Sequence, residues 1–197
     1  MKQIKKQKRV LRASLSYNVE VRDKEGRVIQ RVSAPSRSYV EQWNQQIGAA
    51  VNVAIVPCRD TSGVERNAAN QEEALDIAAG IGVITFGIRV GKGATPVAID
   101  DYALETPCGE GVGVDEFNHQ LVQFTEPTVV ASTCSFTIRR SLINNSGATI
   151  SGIRELAGYD RIDNTYFAMG FRDVLPNAVY VPHGGSITVT YTIKATV

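Results

Sequence analysis

The chain has 197 residues, of which 43% are hydrophobic and 21% are charged, and its formal net charge is +1. These values are ordinary for a globular protein, and they exclude a chain that is disordered throughout. No apolar run approaches the roughly 18 residues that a membrane-spanning helix needs. The basic N-terminus lacks the apolar stretch of a secretory signal.

Basic residues are concentrated at the start of the chain, and the first acidic residue is Glu20. Such a block repels itself, so residues 1–13 are predicted to form a basic N-terminal arm. We expect this arm to contact the acidic surface of a neighbouring subunit; nucleic acid is the less favoured partner, because the whole chain is nearly neutral. A solvated start to the first strand is the alternative. The basic residues are Lys2, Lys5, Lys6, Lys8, Arg9 and Arg12.

Two elements of different periodicity follow the arm. Residues 14–33 alternate apolar and polar side chains on both sides of a "DKEG" turn, which predicts a β-hairpin. The next apolar residues fall at helical spacing, and Ser38 with Glu41 matches a capping box, so an amphipathic helix is predicted over about 38–51. Trp43 falls on the apolar face of this helix, where we expect it to pack in the core.

The remaining chain changes character near residue 82. Residues 57–80 are polar and rich in turn-forming residues, and they are predicted to form an excursion loop with one short helical possibility around 71–78. Many short strands separated by Gly and Pro then follow, with a predicted hairpin turn at "NNSG" (144–147).

The last strand, residues 186–197, alternates strictly between apolar and mostly hydroxyl-bearing side chains. We therefore predict a mainly β fold, an antiparallel, jelly-roll-like β-sandwich. Residues 14–197 would form this single domain, with one amphipathic helix and the basic arm attached.

The chain shows no pattern that is typical of a catalytic site. "GIRVGKGATP" is one residue too short for a phosphate-binding loop, and Lys92 is followed by glycine rather than Ser or Thr. Cys108 and His119 have no supporting signature, so a buried or loop thiol is the preferred interpretation. An odd number of distant cysteines argues for reduced thiols rather than disulfides or zinc. We expect no enzymatic activity, no cofactor and no bound metal.

Four blocks of the sequence share turn-and-strand signatures with one family of proteins. The chain resembles structural proteins of tailed bacteriophages over most of its length, least so at residues 57–80. The resemblance implies a β-sandwich subunit of the capsid surface, neck or tail, with no catalytic residues to transfer. The blocks are "YNVEVRDKEGRVIQR" with "SRSYVEQW", "GIRVGKGATPVAIDDYALETP", "SFTIRRSLINNSGATISGIRELAGY" and "FRDVLPNAVYVPHGGSITVTYTIKATV".

The resemblance and the missing catalytic pattern together predict a non-enzymatic virion structural protein, made in the host cytoplasm. The favoured role is a capsid decoration (cement) protein that stabilises the shell through subunit contacts. A head–tail connector or tail component in a ring remains open. So does a carbohydrate- or receptor-binding module, whose candidate aromatics are Tyr159, Tyr166, Phe167 and Tyr180.

The expected partners are other virion proteins, either the major capsid protein or connector and tail proteins, together with further copies of the chain in a homo-oligomer. No membrane contact is expected. Beside the arm, the charged residues of the excursion are candidates for partner binding on the basis of charge and expected exposure. They are Arg59 and Arg66, with Asp60 and Glu65 between them.

Overall fold

A computed structural model describes residues 12–36, 38–52, 54–69 and 73–197. Within these ranges the fold is mainly β with one helix, as predicted. In chain order the elements are β1 (Arg12–Arg22), β2 (Val28–Ser36), α1 (Glu41–Asn52), β3 (Val56–Arg59), β4 (Glu65–Ala68), β5 (Gly87–Gly91), β6 (Gly109–Glu110), β7 (Glu116–His119), β8 (Gln123–Phe124), β9 (Thr128–Val130), β10 (Thr133–Ile143), β11 (Ile150–Arg161), β12 (Phe167–Val181) and β13 (Ser186–Thr196).

The larger sheet is built around β13. Its strand order is β2-β1-β13-β10-β7-β6, and β8 and β9 also pair with β10. Val189 of β13 lies opposite Val19 of β1 on one side and Arg140 of β10 on the other, and all three are fully buried. The predicted alternation of β13 is confirmed for its first half, where Ile187, Val189 and Tyr191 are buried between more exposed threonines. It fails toward the end of the strand, where Ala195 is exposed.

The smaller sheet has the order β12-β11-β5 and packs against the inner face of the larger one. The ring of Phe171 on β12 lies 4.5 Å from the ring of Tyr191 on β13, centroid to centroid, so the two sheets share one core. Gly158 on β11 faces Phe171 so closely that a Cβ atom there would collide with the ring. The sandwich is therefore held by side chains from both sheets.

The "NNSG" segment is not a hairpin turn, and that prediction was wrong. It joins β10 of the larger sheet to β11 of the smaller sheet. Asn144, which is fully buried, holds the corner: its side-chain amide donates to the carbonyl oxygens of Ala148 and Val181, both at 2.8 Å, and its side-chain oxygen accepts from the backbone N–H of Ser146. Turn residues mark a change of direction, but not which sheet receives the next strand.

Helix α1 is confirmed, but its start and its buried face differ from the prediction. Ser38 does not cap the helix; its hydroxyl bonds to the hydroxyl of Ser36 instead, and the backbone N–H of Glu41 donates to the carbonyl oxygen of Ile99. The buried positions are Gln42, Gln46 and Ala49. Because the segment before the helix pairs with β12, tertiary contacts rather than the apolar pattern decide how the helix is rotated.

Trp43 packs against the core without being fully buried. Its ring stacks on that of Tyr39 at 5.0 Å between centroids, and it lines an apolar cavity of about 310 Å³ together with Phe136 and Ile193. The prediction of core packing therefore holds for one side of the ring only.

Two further differences from the predicted pattern occur in the connecting segments. Strands β3 and β4 form a hairpin inside the segment 57–80, in register Val56↔Ala68, and residues 73–80 form turns rather than a helix. Strands β6 and β7 run parallel over two residues each, which departs from the antiparallel prediction. The glycine-rich link between them gives no period from which this pairing could be predicted.

Candidate functional site

Most of the predicted basic arm lies outside the described residues. Lys2, Lys5, Lys6, Lys8 and Arg9 fall before the first described position, so their role in binding stays a prediction. Arg12 begins strand β1, where its backbone pairs with Thr196. Arg12 is thus part of a strand although it falls inside the range assigned to the arm.

The charged residues of the excursion lie on the β3–β4 hairpin, but the hairpin separates the two arginines. Arg59 pairs with Glu65 and Arg66 pairs with Cys58 in adjacent positions of the register, so the side chains of Arg59 and Arg66 point to opposite faces. The guanidinium of Arg66 lies 3.8 Å from the ring centroid of Tyr166, and that of Arg59 lies 5.5 Å from the ring of Tyr102. They do not form one basic patch.

Asp60 fixes the turn of this hairpin. Its carboxylate accepts hydrogen bonds from the backbone N–H groups of Ser62 and Val64 and from Nε of Arg66, the last at 2.7 Å. Burial alone would raise the pKa of Asp60, but the hydrogen bonds from Ser62, Arg66 and Val64 outweigh it and lower the pKa to about 2. The carboxylate of Asp60 is therefore engaged in hydrogen bonds within the hairpin.

Charged residues from three of the sequence blocks quoted above meet in one buried ion-pair network. The carboxylate of Glu155 is fully buried and accepts from the backbone N–H groups of Glu105 at 2.8 Å and Thr106 at 3.0 Å. Arg172 donates to Glu155 at 3.3 Å and to Asp101 at 2.8 Å. These residues come from three of the four blocks, so the blocks contribute charged side chains to the architecture.

A local signal for this network exists in the sequence. Glu155 and Arg172 stand inside apolar strands, in "IRELAG" and "GFRDV". A charged residue at such a position has to be paired when it is buried. The pattern indicates that each residue has a partner, but it does not identify the partner.

The thiol and imidazole that were considered for catalysis are both buried. Burial raises the pKa of the Cys108 thiol to about 11, so it is not an activated nucleophile. Burial also lowers the pKa of His119 to about 4; the charge of Arg140 acts in the same direction, and a hydrogen bond to Glu110 at 2.7 Å opposes it. Among the described residues, no group of three or more potential metal ligands occurs.

The aromatic residues that were considered for carbohydrate binding are mostly engaged within the fold. Tyr159 is buried in the core, Phe167 stacks on Phe86 with 5.6 Å between ring centroids, and Tyr166 lies under Arg66. Tyr180 is 49% exposed. A flat surface of several exposed aromatic rings is therefore not formed by these four residues.

Strand edges provide a different candidate site. On β2, at one side of the larger sheet, the side chain of Gln30 bonds to both the backbone N–H and the carbonyl oxygen of Tyr180 on β12. β2 also carries the exposed residues Arg31 and Pro35. Charges, proline and a covering strand are the usual protections of a sheet edge.

The edge formed by β9 lacks this protection along its three residues. Val129 and Val130 are 72% and 74% exposed, and β9 pairs within the described residues with β10 alone. Val197, 61% exposed, lies at the same end of β10, since its backbone N–H donates to Ser132. We call Val129, Val130 and Val197 the valine edge. Sequence reasoning missed it because a three-residue strand has too little pattern to be recognised.

Comparison of the chain with protein-family models, with curated proteins and with solved structures finds no significant match. In the part of the chain that the structure describes, the single helix is too short to cross a bilayer.

Proposed function

We propose that this chain is a non-enzymatic structural protein of a virion, and that it acts as a capsid decoration protein. The observation that carries the proposal is the valine edge. Exposed apolar side chains there stand beside backbone groups of β9 that no strand of the described ranges pairs with, and such an edge can add a strand from another subunit. The occupant we assign to this edge is a strand of the major shell protein.

The interior of the molecule supports the same role. The buried charges of Glu155 and Arg172 pair with each other and with backbone groups, so they hold the fold together instead of facing a substrate. Both sheets pack on one core, which provides a stiff body for contacts between subunits.

A connector or tail component in a ring is the second candidate, since the same edge can serve a neighbouring copy of the chain. The two roles differ in copy number. A decoration protein is present in numbers comparable to those of the shell protein, whereas a ring component is present in the few copies set by ring symmetry.

Quantitative mass spectrometry of particles purified from cells that produce the chain tests the proposal. We expect the chain in amounts comparable to those of the major shell protein. A small copy number would indicate a component of the neck or tail instead of a decoration protein. Absence from particles would overturn the virion assignment.

The role of the edge is tested with a matched pair of valine substitutions. Val130→Lys places a charge on the valine edge, and Val51→Lys places the same charge on α1, where Val51 is 81% exposed. Both variants are expected to keep the wild-type melting temperature, since exposed positions tolerate substitution. Only Val130→Lys should be depleted from particles. Equal incorporation of both variants would refute the assigned edge.

A further inference from the structure

A cavity of about 300 Å³ opens beside β5 and β11, on the side of the small sheet where the β3–β4 hairpin lies. Its volume is at the lower end of the range for small-molecule sites. The walls combine apolar side chains with hydroxyl groups and one arginine. They are formed by Thr61, Ile84, Thr85, Arg89, Ala103, Leu104, Pro107, Tyr159 and Phe167.

Arg89 brings a charge into this wall without a carboxylate partner. The residue is only 8% exposed, and its guanidinium donates to the carbonyl oxygens of Ile84 at 2.8 Å and Cys108 at 2.6 Å. Its Nε is enclosed by the protein and has no hydrogen-bond partner, and no carboxylate lies within ion-pair distance of the guanidinium, among the residues that the structure describes. A buried charge without a counter-charge is costly, so the site favours an anion.

A second arginine strengthens the positive potential. Arg140 is fully buried, and its guanidinium donates to backbone carbonyl oxygens that include those of Gln120 and Val83. Burial and the charge of Arg89 together lower the pKa of Arg140 to about 10, while the charge of Glu110 acts in the opposite direction. The two guanidinium groups lie near each other, because Arg140 donates to the carbonyl oxygen of Val83 and Arg89 donates to that of the next residue, Ile84. Carbonyl dipoles solvate these cations but leave their net charge in place.

The rest of the wall suits a compact ring. The hydroxyl oxygen of Tyr159 accepts the backbone N–H of Leu104 at 2.7 Å, which leaves its own O–H free to donate. Thr61 and Thr85 supply further hydroxyl groups. Phe167 and Pro107 supply apolar surface. One side of a bound ring would therefore face hydrogen-bonding groups, and the other side would face apolar side chains.

We propose that this cavity binds a small ring-bearing carboxylate, with the carboxylate on Arg89 and the ring between Phe167 and Pro107. The pairing is favoured because an arginine and a carboxylate form charge-assisted hydrogen bonds of fitting geometry. The proposal does not depend on the particle role, since the cavity and the valine edge involve different residues.

Isothermal titration calorimetry with two acids and their neutral counterparts tests this site. Benzoate and glucuronate present the carboxylate on an aromatic ring and on a sugar ring, and benzamide and glucose are the matched neutral probes. We expect at least one acid to bind at least about tenfold more tightly than its neutral counterpart, and the acid that binds identifies the ring. Binding of neither acid, or equal binding of acid and neutral probe, would overturn the proposal.

Two variants and a control locate the binding. Arg89→Gln should abolish binding of the acid. Ala103→Phe fills the cavity, leaves Arg89 in place and should also block binding. It therefore tests the site independently of whether Arg89→Gln folds. Arg154→Gln is the control, because Arg154 also donates to two carbonyl oxygens but lines another cleft. Retained binding in Ala103→Phe, or lost binding in a folded Arg154→Gln, would contradict the assignment.

Discussion

Asp160 is a buried carboxyl beneath helix α1. One of its oxygens accepts from Nε2 of Gln46 at 2.5 Å, and the other has no partner among the described residues. Burial raises the pKa of Asp160 to about 7, although the hydrogen bond from Gln46 lowers it. Gln46 and its neighbour Gln42 are buried beside this group, so a polar pocket stands where the sequence indicated an apolar helix face.

Replacing Asp160 with asparagine should therefore change how stability depends on pH. In the unfolded chain the carboxyl has an ordinary pKa near 4. Its contribution to the free energy of unfolding is full below about pH 4 and is lost as the pH rises through about 7. At about pH 8 we expect the free energy of unfolding of Asp160→Asn to be roughly 2–4 kcal/mol larger than that of the wild type. At about pH 4 this difference should disappear.

Urea unfolding of both proteins, followed by circular dichroism, measures this difference. Subtracting the two curves removes the effect of other groups such as His119, whose lowered pKa acts in the opposite direction over a similar range. A difference that is the same at both pH values would show that Asp160 does not titrate as described.

The connection between β10 and β11 contains one fully buried asparagine side chain, that of Asn144. Asn144 satisfies two carbonyl oxygens of other residues and the turn that follows it, whereas its neighbour Asn145 is exposed and bonds only to the side chain of Asn118. The two asparagines are adjacent and chemically identical, so they form a natural pair for comparison.

Substituting each asparagine with alanine should separate these roles. Asn144→Ala removes the side-chain donor to the buried carbonyl oxygen of Val181, the second donor to that of Ala148 and the acceptor of the Ser146 N–H, and we expect a loss of at least about 2 kcal/mol in the free energy of unfolding. Asn145→Ala should cost within about 0.5 kcal/mol. Chemical denaturation gives both values. Similar losses for the two variants would mean that the corner is held by its backbone alone.

The molecule as a whole is joined by side chains that cross between its sheets. Trp43 contacts Phe171 of the small sheet, which in turn contacts Tyr191 of the large sheet. Because this core is continuous, we expect the sandwich to unfold in one step, with coincident transitions in Trp43 fluorescence and in far-ultraviolet circular dichroism.

Val189→Ala removes buried apolar volume from the central strand. We expect it to lower the free energy of unfolding by roughly 1.5–3 kcal/mol, by the same amount in fluorescence and in circular dichroism. A fluorescence transition that precedes the loss of strand signal would mean that α1 and its surroundings unfold separately. The single domain predicted for residues 14–197 would then be incorrect.

Strong local patterns made part of this fold predictable. The alternation in β1 and β13 follows from the two-residue period of a strand, and the existence of α1 follows from its spacing of apolar residues. The rotation of α1, the partner of Glu155 and the setting of Arg89 depend on contacts between distant segments. The cavity beside Arg89 could not be predicted, since its walls come from segments as far apart as Thr61 and Phe167.

The position of β13 between β1 and β10 has a consequence for synthesis of the chain. Both neighbours are translated earlier, and each keeps an unpaired edge until residues 186–196 have left the ribosome. Throughout that interval the nascent chain presents two open strands to other nascent copies on the same polysome. The order of the strands along the chain thus leaves β1 and β10 open to pairing with other copies until β13 has been synthesised.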